Sequence, residues 1–328
     1  MHVKCSFSGK RGLFCAWIIS ISILFALPVS PGGNTLAQRL GYSSEAKLLI
    51  VHADDLGVAH SVNRATLDAM LHRNQAGDRV AVNSGSIMVP CPWFPEMAAL
   101  YQAHPYLDLG LHLTLTSEWK HYRWSGVLTD KAASGLHDND GFLYRSVEEV
   151  VQNASDIAVE REIRAQLQRA LEFGIQPTHL DSHMGTLFQT PGFFSAYLRL
   201  GREYGLPVLL PAEALTAAPS QLRDLITGED LLIDRIVMAD PEVLPENWEA
   251  YYSEVLRELK PGITEIIIHL GYEDAELKAV TVDHPDYGAA WREADLRFFT
   301  SEQFRQLVKQ HNIQLITWRE IGGLLKPG

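Results

Sequence analysis

The chain of 328 residues is acidic, with 28 basic and 40 acidic side chains, and 46% of its residues are hydrophobic. A surface with this excess of negative charge repels nucleic acid and anionic lipid, so we expect neither as a partner. The length is sufficient for one large domain with a deep core.

The first 37 residues have the pattern of a secretory signal. Three basic residues precede an apolar run from 13 to 27, and Ala37 ends a small-residue cleavage site. The run is shorter than the about twenty residues of a membrane span, although an uncleaved anchor is left open. We therefore expect residues 38–328 to form one exported domain, periplasmic or extracellular, that meets a membrane only through the signal.

Strands and helices alternate in the pattern of residues 48–116. An apolar run ends in Asp54, Asp55 and Gly57, which is typical of a buried strand that delivers acid groups to a pocket. The predicted order is strand 48–57, helix 61–73, strand 80–89, helix 93–104 and strand 108–116. This repetition favours parallel strands joined by crossovers, hence an α/β sheet or barrel.

A long irregular segment, residues 117–144, follows and is rich in aromatic residues. Loops of this length are usually lids or binding walls. Trp119, Tyr122 and Trp124 suit stacking on sugar rings, or equally the anchoring of the loop by buried rings.

The second half of the chain continues the alternation. The predicted elements are helix 146–174 with a break near Asn153, strand 177–186, helix 192–205, strand 206–211, an insertion at 213–235, a short strand at 237–238, helix 248–259, strand 264–272, a long connection to 297, helix 298–311 capped by Thr300 or Ser301, and strand 312–317. One domain of seven or eight βα units fits this order best.

Four predicted strand ends carry acid or imidazole groups. They hold Asp54 with Asp55, His112, the group His179, Asp181 and His183, and His269. The carboxyl ends of parallel strands meet at one edge of the sheet, so these groups can converge there. One carboxylate and two imidazoles suit a borderline divalent ion and leave positions for water and substrate. Taken singly, each histidine also fits a hydrogen-bonded structural role.

The adjacent carboxylates Asp54 and Asp55 point to opposite faces of a regular strand. One is then free to hold a metal while the other faces a substrate or water. The alternative is that one of them caps the helix that follows.

The chain resembles the YdjC/ChbG family of carbohydrate deacetylases, including its hopanoid-related branch. The resemblance rests on ADDLG at 53–57, GLHLTLT at 110–116 and PTHLDSH at 177–183, with a looser match of IHLGY at 268–272. It implies a distorted TIM-like (β/α) barrel, one divalent metal ion and removal of N-acetyl groups from amino sugars of chitooligosaccharide, cell-wall or glycolipid type.

Carried over by position, the metal ligands implied by this resemblance are Asp55, His112 and His183, with Asp54 as general base. Amide hydrolysis then needs a proton donor for the leaving amine, and we expect His269, or His179 as the second choice. We expect Asp181 to orient a ligand histidine. The candidates for lining a sugar site are Trp119, Tyr122, Trp124, Tyr272 and Trp291.

The chain departs from the family pattern at four positions. Gly185 and Leu187 stand where further histidines are common, Leu270 replaces a proline, and His52 stands where asparagine is frequent. Two alternatives therefore stay open: a metal-dependent hydrolase of another ester, amide or phosphoester, and a sugar-binding barrel without turnover. The choice between zinc and magnesium and the presence of a homodimer are left open as well.

Overall fold

Strand β1, Lys47–Leu56, is the centre of the fold, and every residue after Lys47 in it is buried. Its apolar side chains serve two cores. Leu49, Val51 and Ala53 pack in the larger hydrophobic cluster, while Leu48 and Ile50 pack in a second one. A strand that buries both faces is typical of a parallel sheet covered by helices.

The computed structural model describes residues 34–71, 82–128 and 135–325. Within these ranges the strands after β1 are β2 Ser84–Ile87, β3 Leu109–Leu113, β4 Leu180–Ser182, β5 Arg235–Val237, β6 Gly262–Ile268 and β7 Ile313–Leu315. The helices are α1 Leu36–Arg39, α2 His60–Leu71, α3 Phe94–Ala103, α4 Val147–Asn153, α5 Asp156–Glu172, α6 Pro191–Tyr204, α7 Ala212–Thr216, α8 Ser220–Arg223, α9 Trp248–Arg257, α10 Ala275–Val280, α11 Ala289–Phe299, α12 Glu302–Gln310 and α13 Trp318–Gly322. In this part of the chain, no helix combines the length and the apolar character that crossing a membrane requires.

All strand pairs are parallel, in the order β4-β3-β2-β1-β6-β5, with β7 beside the first residues of β1. The two ends of this sheet are joined by the segment 207–212, which forms the isolated parallel bridges Leu180–Val208 and Pro211–Ile233. The predicted strand 206–211 is therefore present only as these bridges. The prediction of a distorted TIM-like barrel is confirmed.

Two predictions of local structure are wrong. The long connection to 297 contains α10 and most of α11, and the predicted helix 298–311 is divided between α11 and α12. Asp274 caps α10 by accepting a hydrogen bond from the Leu277 N–H, and Ser301 caps α12 in the same way from Phe304. Each cap marks the first turn of its helix, and the Ser301 cap is one of the two that the sequence predicts.

The predicted signal segment lies mostly outside the described residues. Its predicted end at Ala37 lies within α1, where Thr35 forms a capping box with Gln38 and Ala37 is 2% exposed in the second hydrophobic cluster. Cleavage after Ala37 would remove half of this packed helix. A boundary before Thr35 would keep it whole.

Candidate metal centre

The end of β1 brings two adjacent carboxylates to the same place. Asp55 has a left-handed backbone with φ of 67°, and the register between β1 and β2 shifts between Ala53 and Leu56. The strand is therefore not regular here, and the expected alternation of Asp54 and Asp55 does not occur. Asp54 Oδ1 lies 3.7 Å from His112 Nδ1, and Asp55 Oδ1 lies 3.5 Å from His112 Nε2. Aspartate is among the few residues that tolerate this backbone conformation.

The structure brings Asp55, His112 and His183 together in a buried triangle. Asp55 Oδ1 is 3.5 Å from both His112 Nε2 and His183 Nδ1, and the two nitrogens are 3.1 Å apart. His112 lies in β3, and His183 directly follows β4. Met184 and Gly185 then both adopt left-handed backbone, with φ of 51° and 64°, which turns the chain away from the site.

The three atoms fit a metal ion. Ligands of a tetrahedral zinc ion, with bonds of about 2.0–2.2 Å, lie about 3.4 Å from one another, close to the separations found here. Asp55 Oδ1 is buried and has no hydrogen-bond partner among the described residues. A carboxylate with two imidazoles is a donor set that suits borderline divalent ions.

Each of the three groups has a charged partner on its other polar atom. Asp181 Oδ1 is 2.6 Å from His112 Nδ1, Glu118 Oε2 is 3.2 Å from His183 Nε2, and Arg292 Nη2 donates to Asp55 Oδ2 over 2.6 Å. Such outer contacts orient metal ligands and select the histidine tautomer.

Of these three partners, the sequence predicts Asp181 but not Glu118 or Arg292. Glu118 lies in the irregular loop, and no periodic pattern marks it. Arg292 had a signal: it shares a face of α11 with Leu296 and Phe299, which are apolar, and a buried arginine on such a face needs a partner.

Charged neighbours change the protonation of the triangle in the metal-free protein. Burial alone would raise the pKa of Asp55, but the Arg292 guanidinium and the His183 ring hold it well below its usual range. Burial would lower the pKa of His183, but Glu118 and Asp55 raise it to about 10. A metal ion binds the deprotonated nitrogen, so it competes with this proton.

Asp54 is held by a buried polar network on the inner side of β1. Its Oδ1 accepts a hydrogen bond from Ser86 Oγ at 3.1 Å and lies 3.0 Å from His52 Nε2. The same His52 nitrogen is 3.0 Å from Asp181 Oδ2. Burial by itself would lower the pKa of His52, but Glu265, Asp181 and Asp54 raise it well above its ordinary value. His52 thus connects the predicted base with the carboxylate that contacts His112.

His269, the predicted proton donor, follows β6, where its backbone N–H donates to Asp295 Oδ2 at 2.9 Å. Its ring packs on Tyr287 at 4.9 Å, and Nδ1 has no partner in the described part of the chain. Burial, helped by the Arg292 cation, lowers the pKa of His269 to about 4. This environment keeps the ring neutral at pH 7, and its role as donor stays a prediction.

His179, the second choice as donor, is enclosed in the barrel. Its Nδ1 is 2.9 Å from Thr178 Oγ1, and its ring stacks on Trp318 at 5.1 Å. Gly110 leaves room for the ring, because a Cβ there would lie 2.5 Å from it. Burial lowers the pKa of His179 well below its ordinary value. These contacts match the structural role that was the alternative.

Three of the aromatic residues predicted to line a sugar site are buried. Trp119, Trp124 and Trp291 are each 3% exposed. Trp119 and Trp124 pack against each other at 5.8 Å, as expected of rings that anchor the loop. Tyr272 is 36% exposed, and its hydroxyl donates to an aspartate, Asp68, while the Tyr122 hydroxyl donates to the Val58 carbonyl.

The family model for YdjC-like protein matches residues 48–310. The chain belongs to this family. A carbohydrate deacetylase from Thermus thermophilus is 31% identical over 292 residues, which cover 87% of this chain and 97% of that protein. A carbohydrate deacetylase from Brevibacillus brevis is 28% identical over 283 residues, which cover 84% of this chain and 99% of the relative. The family resemblance of the sequence motifs is confirmed.

A solved structure has the same fold as this chain. It is a protein from Enterococcus faecalis designated a cellobiose-phosphate cleavage protein, with a TM-score of 0.68 and 21% identity. The match covers 84% of this chain and 99% of that one. At this identity the likeness concerns the fold alone.

Proposed function

We propose that the protein is a metal-dependent carbohydrate deacetylase that removes N-acetyl groups from amino sugars. The observation that carries the proposal is the buried triangle of Asp55 Oδ1, His112 Nε2 and His183 Nδ1, with the Asp54 carboxylate beside it. The activity named for the curated relatives supports it, because those proteins match this chain over nearly their whole length.

A divalent ion held by Asp55, His112 and His183 would supply Lewis-acid activation of the acetyl carbonyl and of water. Asp54 accepts the proton that the attacking water loses. Ser86 keeps this carboxylate oriented through its hydrogen bond.

The leaving amine must gain a proton when the amide bond breaks. At pH 7 very little of His269 is protonated and able to donate, since its pKa is about 4. We therefore propose that Asp54 returns its proton to the amine and that His269 contributes a neutral polar wall. His269 as the donor is the competing assignment, and the two are separated by mutation below.

We propose zinc rather than magnesium as the ion. Two imidazoles are unusual ligands for magnesium, which prefers oxygen and retains several waters. For the substrate we propose an uncharged or cationic N-acetylated sugar, oligomeric or lipid-linked, because the chain itself is strongly acidic. We also propose export of the protein, on the pattern of its first residues.

The test is acetate release from N-acetylated chitooligosaccharides, measured with zinc-loaded protein, with chelator, and after zinc is restored. Release that stops with the chelator and returns with zinc supports the proposal. Sugar that binds without acetate release under zinc or magnesium would instead favour a non-catalytic sugar-binding barrel. Hydrolysis of other esters or amides, with no acetate from amino sugars, would favour the broader hydrolase.

A further inference from the structure

We propose that Glu118 is a positioning residue that keeps the proton of His183 on Nε2, so that His183 binds the metal through Nδ1 while His112 binds it through Nε2. The inference rests on the metal dependence in the proposed function, but not on the identity of the substrate. The inference assigns a function to Glu118, which lies in the irregular segment 117–144.

The contacts of the two rings carry this assignment. In His112, Nδ1 faces Asp181 at 2.6 Å and Nε2 faces Asp55. In His183 the order is reversed, because Nε2 faces Glu118 at 3.2 Å and Nδ1 faces Asp55 at 3.5 Å. A carboxylate accepts only from a protonated nitrogen, so each ring has an N–H directed away from the triangle, and the nitrogen directed into the triangle is the one that a metal ion would deprotonate and bind.

The backbone around Glu118 is fixed on both sides. The Ser117 N–H donates to the Tyr144 carbonyl at 2.7 Å, and Ser117 Oγ accepts from the Trp124 N–H at 2.9 Å. The Trp119 carbonyl accepts from Arg145 Nη1 at 2.8 Å. Glu118 is thus presented to His183 by a preformed segment, and its side chain, 15% exposed, is itself largely buried. A carboxylate held in this way acts on the ring without reordering at the moment of metal binding.

Loss of the carboxylate should weaken metal binding through its effect on His183. Removal of an outer partner of a metal-bound histidine typically lowers affinity about 10–100-fold. We expect this loss of Zn²⁺ affinity for Glu118→Ala. Glu118→Gln retains an oxygen that can accept from Nε2 but lacks the charge, so we expect it to lose less affinity than Glu118→Ala.

The experiment is Zn²⁺ titration by competition calorimetry on the wild type, both Glu118 variants and His183→Ala. Glu148→Gln is the matched control, because Glu148 is an exposed glutamate of α4. The Zn²⁺ affinity of this variant should equal that of the wild type. Long-range ¹H–¹⁵N spectra of histidine-labelled, zinc-loaded protein provide the second readout. We expect one ring coordinated through Nδ1 in the wild type, assigned to His183 by through-bond correlation of the ring with its own backbone amide, and a mixture of states in Glu118→Ala.

Two results would overturn the inference: Zn²⁺ affinity of Glu118→Ala within about threefold of the wild type, or coordination of His183 through Nε2. Retention of tight zinc binding by His183→Ala would overturn the ligand set and this inference with it. Failure of the deacetylase proposal would give a different result: zinc would bind in a way that depends on Glu118 and His183, but no acetate would be released.

Discussion

Arg292 Nη2 donates to Asp55 Oδ2 across 2.6 Å, and the two side chains are only 2% and 6% exposed. The two oxygens of the Asp55 carboxylate therefore have different partners: Oδ2 accepts a hydrogen bond from the guanidinium, while Oδ1 faces the two imidazoles. It also offsets a buried negative charge that would otherwise be costly in the metal-free protein.

The substitution Arg292→Gln should lower the free energy of unfolding of the metal-free protein by about 3–5 kcal/mol, because it leaves a buried carboxylate without its cation. Zinc should raise the melting temperature of this variant more than that of the wild type, since the ion replaces the lost positive charge. The measurement is denaturant and thermal unfolding with and without zinc. Arg297→Gln is the control: its side chain is 75% exposed, so the change should cost less than about 1 kcal/mol. Equal losses of stability in Arg292→Gln and Arg297→Gln would argue against a stabilising ion pair between Arg292 and Asp55.

The substitutions His112→Ala and His183→Ala should each abolish stoichiometric zinc after gel filtration, as measured by elemental analysis. Each removes one of three protein ligands, and two remaining ligands hold zinc far more weakly. The control is His121→Ala, which removes an exposed histidine of the irregular segment 117–144 and should keep its zinc. Full metal occupancy in His112→Ala would show that the ion binds elsewhere.

The substitution Asp54→Asn should retain zinc and lower kcat about 10²–10⁴-fold, the usual contribution of a positioned general base. His269→Ala should also retain zinc but lose less activity, since an imidazole with a pKa of about 4 is neutral at pH 7. Steady-state kinetics on an N-acetylated oligosaccharide, with metal content measured in parallel, tests both. Equal losses in the two variants would assign proton donation to His269.

Glu265 should contribute a loss of stability as the pH rises from about 5 to 8. Burial raises the pKa of this carboxyl from 4.5 to about 8. Between these values the folded protein keeps a proton that the unfolded chain has lost, so the free energy of unfolding decreases by at most about 1.4 kcal/mol per pH unit. Glu265→Gln preserves an acceptor for Trp318 Nε1 and should flatten this dependence in urea unfolding measured across the range. An unchanged slope would contradict the prediction.

The sequence predicts the parts of this fold that depend on local patterns. The apolar run that becomes β1 and the alternation in β3 are visible along the chain, and so is the helix break near Asn153, where α4 ends. The polar groups that end these strands therefore converge where a parallel sheet places them.

What the sequence could not predict depends on distant or irregular contacts. Glu118 reaches His183 from a loop without periodicity, and Arg292 lies 237 positions from Asp55. The left-handed backbone at Asp55 overrides strand alternation, and only its neighbour Gly57 hints at a sharp change of direction there. Burial of Trp119 and Trp124 is a property of tertiary packing, which a count of aromatic residues does not reveal.

A single peptide bond joins Asp54 to Asp55, and the irregularity of β1 aims both carboxylates at His112. The proposed base and the proposed metal ligand are therefore adjacent residues of one buried strand, so a shift of that strand would displace both together. Laboratory evolution of the proposed deacetylase should leave this dipeptide untouched and collect its useful changes around it, at positions such as Tyr287, which packs on His269, and the loop residues next to Glu118.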